Sequence, residues 1–371
     1  MAQGGTEGAD RLRVALSMLS LVPGGMGGSE TYARELVRTL AASTRVAAEA
    51  WVSRAGAGFS DGLPEHVVDV RGGPSTVARV LTLLEARSRR RGIRRRMAGV
   101  DVVHFPFTAP VPWPTRDTVV AVSLLDVQHL DLPHMFSRAE RLYRRRYYDH
   151  AARTAHAVVT ISGFAKQSIV DRLGIDPDRI TVAHLGVEPG DFEPNLGDRE
   201  RFLFYPARGW AHKNHARLIE AVRLIRADHP DLRLVLTGGG LDTLPAVPDW
   251  IEVRGLVPRA ELRELYRRAA CLVFPSLYEG FGLPPLEAMA SGCPVAASDA
   301  GSLPEICGDA AVLFDATEPA AIAAGVTAAM ERAVELQRRG LERVRSFTWA
   351  GCAAAHEDAY LSAAAARGGP S

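Results

Sequence analysis

Apolar residues in this chain fall into short dense runs, separated by longer stretches in which they recur every three to four positions. Residues 12–19 (LRVALSML) read as a buried strand. The next stretch places Tyr32, Leu36, Val37 and Leu40 on one face of a helix, with Ser29 as its expected N-cap. Further strands are expected at 47–53, 66–70, 101–107, 118–125, 157–162 and 180–187. Helical patterns cover 86–96, 138–153 (Leu142, Tyr143 and Tyr147 forming the expected buried stripe) and 164–173. A Pro-, Gly- and acid-rich stretch at 188–198 reads as a linker. The alternation then restarts: strands at 201–207, 231–237, 251–255 and 271–276, helices at 214–227 and 259–270. Strands alternating with helices predict an α/β protein with two Rossmann-like, doubly wound parallel-sheet domains, at 12–190 and 198–346, and a final helix at 347–366.

The chain has 371 residues, 47% apolar and 23% charged, enough for two ordinary cores. A net charge of +1 gives no reason to expect a nucleic-acid partner. The cysteines, Cys271, Cys293, Cys307 and Cys352, show no Cys-x-x-Cys spacing, which suits structural thiols in a reducing, cytoplasmic setting. No run of 18 apolar residues occurs, so no spanning helix is expected. The polar, Gly-rich residues 1–10 and the tail read as disordered ends. The basic stretches at 86–96 and 138–153 are read as solvated helix faces or as a peripheral contact with an anionic membrane surface.

Candidate chemistry centres on residues 275–294, PSLYEGFGLPPLEAMASGCP. An apolar strand ends at Phe274, and two carboxylates follow, Glu279 and Glu287, seven residues apart in the count between them. Gly280 and Gly282 allow close backbone approach by a ligand. Pro284 and Pro285 suit a first helical turn, and Gly292 closes the helix. A helix N-terminus favours phosphate, whereas carboxylates suit hydroxyls; a sugar diphosphate carries both. Arg208 and Lys213 lie five residues apart between a strand and a helix, where they can clamp a diphosphate. Glycine turns occur at 24–28 and 238–240, and polar groups Asp126 and His129 follow the strand at 118–125.

The string EGFGLPPLEAMASGCPV resembles the signature of the retaining nucleotide-sugar glycosyltransferases of family four (glycosyl transferases group 1), and the resemblance covers roughly residues 12–360. It implies a GT-B fold, two such domains facing across a cleft, with the last helix crossing back to the first domain. It implies that Arg208 and Lys213 neutralise the donor diphosphate, Glu279 orients sugar hydroxyls and Glu287 holds the ribose. Gly27 and Gly28, Gly238 and Gly239, Val257, and the loop Gly280, Phe281, Gly282 and Leu283 would contact the donor. Relatives place a His-Asp pair where this chain has Leu125-Asp126, so Asp126 or His129 takes that role. Glu305 is read as a helix N-terminal acid. The implied activity is sugar transfer, with retention, from a UDP- or GDP-type donor to a glycan, lipid-linked or natural-product hydroxyl. No cofactor or metal is implied. The alternatives are a non-catalytic nucleotide-sugar binder and a nucleotide-sugar epimerase on the same fold.

Overall fold

The computed structural model describes residues 11–24, 27–73, 76–108 and 110–368; the expected disordered ends, at 1–10 and in the tail's last three residues, and the Gly25-Met26 step of the first glycine turn lie outside them. The chain divides into two units. One comprises the residues up to Thr160, Lys166–Ala183 and the chain from Trp349 onward; the other comprises Ile161–Ala165 and His184–Thr348.

The first unit is built on seven parallel strands: β1 (Leu12–Met18), β2 (Val46–Ser53), β3 (Glu65–Val68), β4 (Val102–Phe105), β5 (Val119–Ser123), β6 (Ala157–Thr160) and β7 (Ile180–Val182). Their order is β3-β2-β1-β4-β5-β6-β7. Leu16 of β1 sits opposite Ala50 on one side and His104 on the other. β1 is buried from Val14 to Met18, which is why it reads as a dense apolar run rather than an alternating one.

Helix α1 (Gly28–Leu40) buries Tyr32, Leu36, Val37 and Leu40 as the periodicity requires. Its N-cap is Gly27, at φ 58°, rather than Ser29, which lies inside the first turn and makes no cap bond. No side chain caps the helix; the Glu30 carboxylate instead reaches back to the Gly24 N–H at 2.8 and 3.0 Å and ties the preceding loop to the first turn. The basic stretch at 86–96 is not one helix: α2 (Thr76–Ser88) stops and α3 (Arg90–Arg96) restarts around Arg89. After the short α4 (Gln128–Asp131), α5 (Arg138–Arg144) opens on a capping box between Ser137 and Glu140. A π turn, Arg145–Asp149, then leads into α6 (His150–Thr154). The wider turn rotates the helix phase, so the expected stripe fails: Leu142 is 69% exposed, while Asp149, Ala151 and Ala152 are buried.

The last helix, α14 (Trp349–Gly368), packs against α1, β5 and β6. A buried chain of hydrogen bonds joins these elements, and its polarity can be worked out. His356 Nδ1 must donate to the Cys352 carbonyl (2.8 Å), so its Nε2 is bare and accepts from Tyr32 (2.7 Å). Tyr32 therefore accepts from Ser123 (2.6 Å), Ser123 accepts from His104 Nε2 (2.7 Å), and His104 Nδ1 accepts from Tyr360 (2.7 Å). Every member is satisfied and both imidazoles are neutral. Burial holds His104 well below its usual value and His356 at about 4.

The second unit has six parallel strands: β8 (Glu200–Pro206), β9 (Arg233–Thr237), β10 (Ile251–Gly255), β11 (Ala269–Phe274), β12 (Val295–Ser298) and β13 (Val312–Phe314), ordered β10-β9-β8-β11-β12-β13. β12 and β13 escape a reading by pattern because they are only four and three residues long. The helices are α8 (His215–Ile225), α9 (Arg259–Arg268), α10 (Leu283–Ala290), α11 (Leu303–Cys307), α12 (Pro319–Glu331) and α13 (Ala333–Arg343); α7 (Gly163–Leu173) precedes β7 in the chain. Strand order reverses between β8 and β11, the place where open α/β sheets bind ligands at the carboxyl ends of their strands. Cys271, Cys293, Cys307 and Cys352 are all buried free thiols.

Candidate active site

Two loops flank that reversal, residues 207–214 after β8 and 275–282 after β11. They are tied together by main-chain and side-chain bonds. Leu277 N–H donates to the His212 carbonyl at 2.8 Å. Tyr205, buried in β8, donates its hydroxyl to the Lys213 carbonyl at 2.7 Å. Asn214 adopts a left-handed conformation (φ 62°) and sends its amide to the carbonyls of Pro275 (3.1 Å) and Ala316 (2.8 Å). Lys213 is thereby fixed, and its ammonium pairs with Glu279 Oε1 while lying 5.5 Å from the Phe274 ring centroid. Both side chains are mostly shielded from solvent. Burial, and then the Lys213 charge, push neighbouring His215 down to about 4.

The Glu279–Phe281 segment turns its carbonyls inward. Ser302 takes those of Glu279 (N–H at 3.1 Å, Oγ at 3.1 Å) and Phe281 (Oγ at 2.7 Å), and Ser162 Oγ takes that of Gly280 at 2.7 Å. With its acceptors engaged, the loop offers N–H donors at the start of α10, whose N-cap is Gly282. The packing behind the loop leaves no room for a side chain. A Cβ on Gly301 would sit 2.5 Å from the Glu279 carbonyl oxygen, and Gly301 is at φ 66°.

Glu287 lies on the fifth residue of α10, away from the loop. Its Oε2 accepts from the buried Tyr266 hydroxyl at 2.8 Å. Burial raises the Glu287 carboxyl above its usual range, against the lowering effects of Tyr266, Arg259 and Arg263. Arg259 and Arg263 both pair with Asp191, at 3.2 and 2.5 Å. Arg208 is half-buried, with its guanidinium 5.5 Å from the ring centroid of the exposed Trp210. The glycine turn packs directly on the backbone beside it: Gly209 N–H donates to Gly239 O at 3.0 Å, and a Cβ on Gly209 would meet Gly240 O at 2.1 Å. Gly238 N–H donates to Gly255 O at 2.7 Å, which brings the ends of β9 and β10, and Val257 after them, to the same rim. The second unit thus gathers Arg208, Lys213, Gly238, Gly239, Val257, Glu279, Gly280, Phe281, Gly282, Leu283 and Glu287 at one end of its sheet.

Sequence reasoning missed the residues that support this set: Tyr266, Ser302, Ser162, Gly301 and Asn214. Glu305 lies in the first turn of its own helix as expected, yet its carboxylate does more. It accepts from the N–H groups of Gly163 and Phe164 (2.9 and 3.0 Å) and pairs with His184 at 2.7 Å. Burial raises Glu305, but the His184 bond and the two N–H groups outweigh it and leave the carboxyl below its usual range.

The first unit holds the other candidates. Gly27 and Gly28 begin α1 after the loop that follows β1. Asp126 follows β5, and its Oδ1 accepts from Gln128 N–H at 3.1 Å, an Asx turn at the start of α4. His129 is 1% exposed and pairs with the equally buried Asp149 at 2.9 Å, which pins α4 to the π turn. Its imidazole is therefore buried, with Nε2 engaged by Asp149. Among the described residues no group of three or more His, Cys, Asp or Glu is placed to hold a metal ion.

Comparison with known proteins bears on the family and the fold. The family described as Glycosyltransferase Family 4 matches residues 26–191, and that described as Glycosyl transferases group 1 matches residues 188–346. The O-antigen chain mannosyltransferase B of Escherichia coli is 27% identical over 366 residues, covering 90% of this chain and 95% of that protein. Among solved structures, sucrose-phosphate synthase from Thermosynechococcus elongatus superposes with a TM-score of 0.75 at 20% identity, covering 96% of this chain and 100% of that one. Anabaena HepE, solved with UDP and glucose, gives a TM-score of 0.70 at 14% identity, covering 95% and 100%. The chain therefore belongs to glycosyltransferase family 4, with the GT-B fold and a group 1 glycosyl transferase domain as its second unit.

Proposed function

We propose that this glycosyltransferase moves a hexose, mannose in the first instance, from a nucleoside diphosphate donor to a glycan hydroxyl, with retention of anomeric configuration. The observation that carries this reading is the Lys213–Glu279 pair beside the carbonyl-saturated loop at the start of α10. Departure of the nucleoside diphosphate leaves negative charge on the β-phosphate and an oxocarbenium-like sugar. Arg208, Lys213 and the N–H groups at the helix start stabilise the former without reorganising. These two cations, Lys213 held by Glu279 and Arg208 beside Trp210, supply the charge that a divalent metal would supply elsewhere, so a chelator should leave turnover unchanged. Glu279, held by Lys213, orients sugar hydroxyls, and Glu287, held by Tyr266, accepts from the ribose. The leaving phosphate takes the acceptor proton in a front-face attack. The sugar is suggested by the E. coli relative, named as a mannosyltransferase, and the diphosphate by the HepE complexes with UDP.

A non-catalytic nucleotide-sugar binder is the second reading. It is favoured by Leu125 standing where relatives carry a histidine, with His129 enclosed by Asp149. A peripheral membrane contact is also proposed. Arg87, Arg90 and Arg91 line an open groove of about 440 Å³ on α2–α3 beside Leu84, which is 53% exposed. Release from anionic vesicles by salt would support it; salt-insensitive or absent binding would not.

The deciding experiment is thermal unfolding with UDP, GDP, dTDP and ADP, followed by turnover with the matching donor sugar. A diphosphate at a hundredfold above its Kd should add roughly 2.7 kcal/mol of stability. A shift with one base and product formation supports the transferase. A shift without turnover on any acceptor supports the binder. No shift with any diphosphate overturns both.

A further inference from the structure

We propose that Arg199, in the segment that leads into β8, is a positioning residue for the nucleotide end of the donor, acting through Tyr266 and Glu287. The inference rests on the reading of Glu287 as a nucleotide contact. The Arg199 guanidinium lies against the C-terminal ends of two helices at once. Its Nη1 donates to the carbonyls of Tyr266 (3.1 Å), Arg267 (3.0 Å) and Ala269 (3.0 Å), where α9 ends. Its Nη2 donates to the carbonyls of Ser291 (3.1 Å) and Gly292 (2.5 Å), where α10 ends, and to Asn195 (2.6 Å). Helix C-termini present unpaired carbonyls and partial negative charge, so one planar cation bridging two of them is favourable on both counts.

These two helices carry the Tyr266–Glu287 pair. Tyr266 is held at both ends: its carbonyl by Arg199, its hydroxyl by Glu287 Oε2. Its ring is fully buried and meets Phe204 edge-on at 5.2 Å, so it cannot swing to follow a displaced carboxylate. Asn195 closes the clasp from the other side. Its N–H donates to Ser291 O at 3.1 Å and its amide to Arg267 O at 3.1 Å. Gly292 permits this approach, since a Cβ there would lie 2.9 Å from Asn195 O. The spacing between α9 and α10, and with it the place where Glu287 meets a ribose, is set by a residue that faces away from the ligand. A lysine offers one nitrogen in place of the two-armed fork and cannot reach both helix ends.

The test is a double-mutant cycle on the binding of UDP and GDP, measured by calorimetry at a temperature where circular dichroism finds each variant folded. Arg199→Lys should weaken the diphosphate bound by wild type about tenfold or more. Tyr266→Phe should weaken it as well, and the double variant should bind no worse than the weaker single, because both act on one contact. Affinity within about twofold of wild type in folded Arg199→Lys, or losses that add, would reduce the clasp to a stability device and overturn the inference. Should Arg199→Lys fail to fold, Asn195→Ala removes only the Asn195 amide bonds and takes its place in the cycle, with the same criteria. Wild type binding neither diphosphate would overturn the donor-site reading itself, and this inference with it.

Discussion

The two units each bury a polar cluster, and the clusters are built on opposite plans. In the first unit, Tyr360, His104, Ser123, Tyr32 and His356 form a chain of neutral groups that ends on a main-chain carbonyl, with each donor and acceptor in the chain matched. In the second unit, Lys213–Glu279 is an ion pair in the loops that follow two strands, Tyr266–Glu287 joins two helices, and each carboxylate has a second oxygen with acceptor capacity to spare. A saturated neutral chain has nothing left to offer a ligand and serves to dock a helix. A charged cluster beside unpaired loop N–H groups is unsatisfied by its own fold and is completed by something that binds.

The largest expected effect falls on the charged cluster. Lys213→Ala should lower kcat by about a hundredfold or more, the loss typical of one electrostatic stabiliser; equal turnover in steady-state assays would remove Lys213 from the chemistry. Gly301→Ala should cost about tenfold to a hundredfold in kcat/KM, because its Cβ displaces the Glu279 backbone. An unaltered kcat/KM would mean that the loop tolerates the shift.

The neutral chain should report as stability alone. His356 sits at about 4 when folded and regains an ordinary value near 6.5 when unfolded, so the unfolded chain binds more protons below that value. Its contribution is present above pH 6.5 and is lost on the way down to pH 4, by about 2 kcal/mol between pH 6.5 and 5. Denaturant unfolding across that range, with hydrogen exchange followed on α14, should find this loss blunted in His356→Gln; an identical pH profile in wild type and variant would contradict it. The smallest effect on activity is expected at His129. His129→Asn should change kcat less than about twofold while lowering stability, since the buried Asp149 loses its partner. A large loss of turnover with unchanged stability would return His129 to the reaction.

Much of this architecture could be read along the chain. Apolar runs at 12–19, 118–125 and 271–276 became β1, β5 and β11, because strands buried on both faces need no alternation to be recognised. The glycines at 238–240 and the Arg208–Lys213 spacing pointed to the ends of strands for a similarly local reason: a turn needs its residue types within a few positions. Ser29 and Leu142 mark where local rules yielded. The helix starts earlier than a serine cap would have it, after a glycine with positive φ, which leaves Ser29 inside the first turn, and one π turn rotated an amphipathic face toward solvent.

The sequence by itself determined the strand–helix alternation, the two α/β units, the helix that starts after the Gly-Phe-Gly loop, and the residue types gathered in that loop. These follow from periodicity and turn chemistry, which act over fewer than ten residues. Tertiary structure alone decided the partners: Tyr266 for Glu287, Ser302 and Ser162 for the loop carbonyls, Asp149 for His129, and Arg199 beneath two helix ends. Those pairs are separated by 20 to more than 100 residues along the chain, and no local pattern encodes them. They are set by which orphaned carbonyls and buried charges the packed sheets bring within hydrogen-bond reach, a condition that exists only once the strand order is in place.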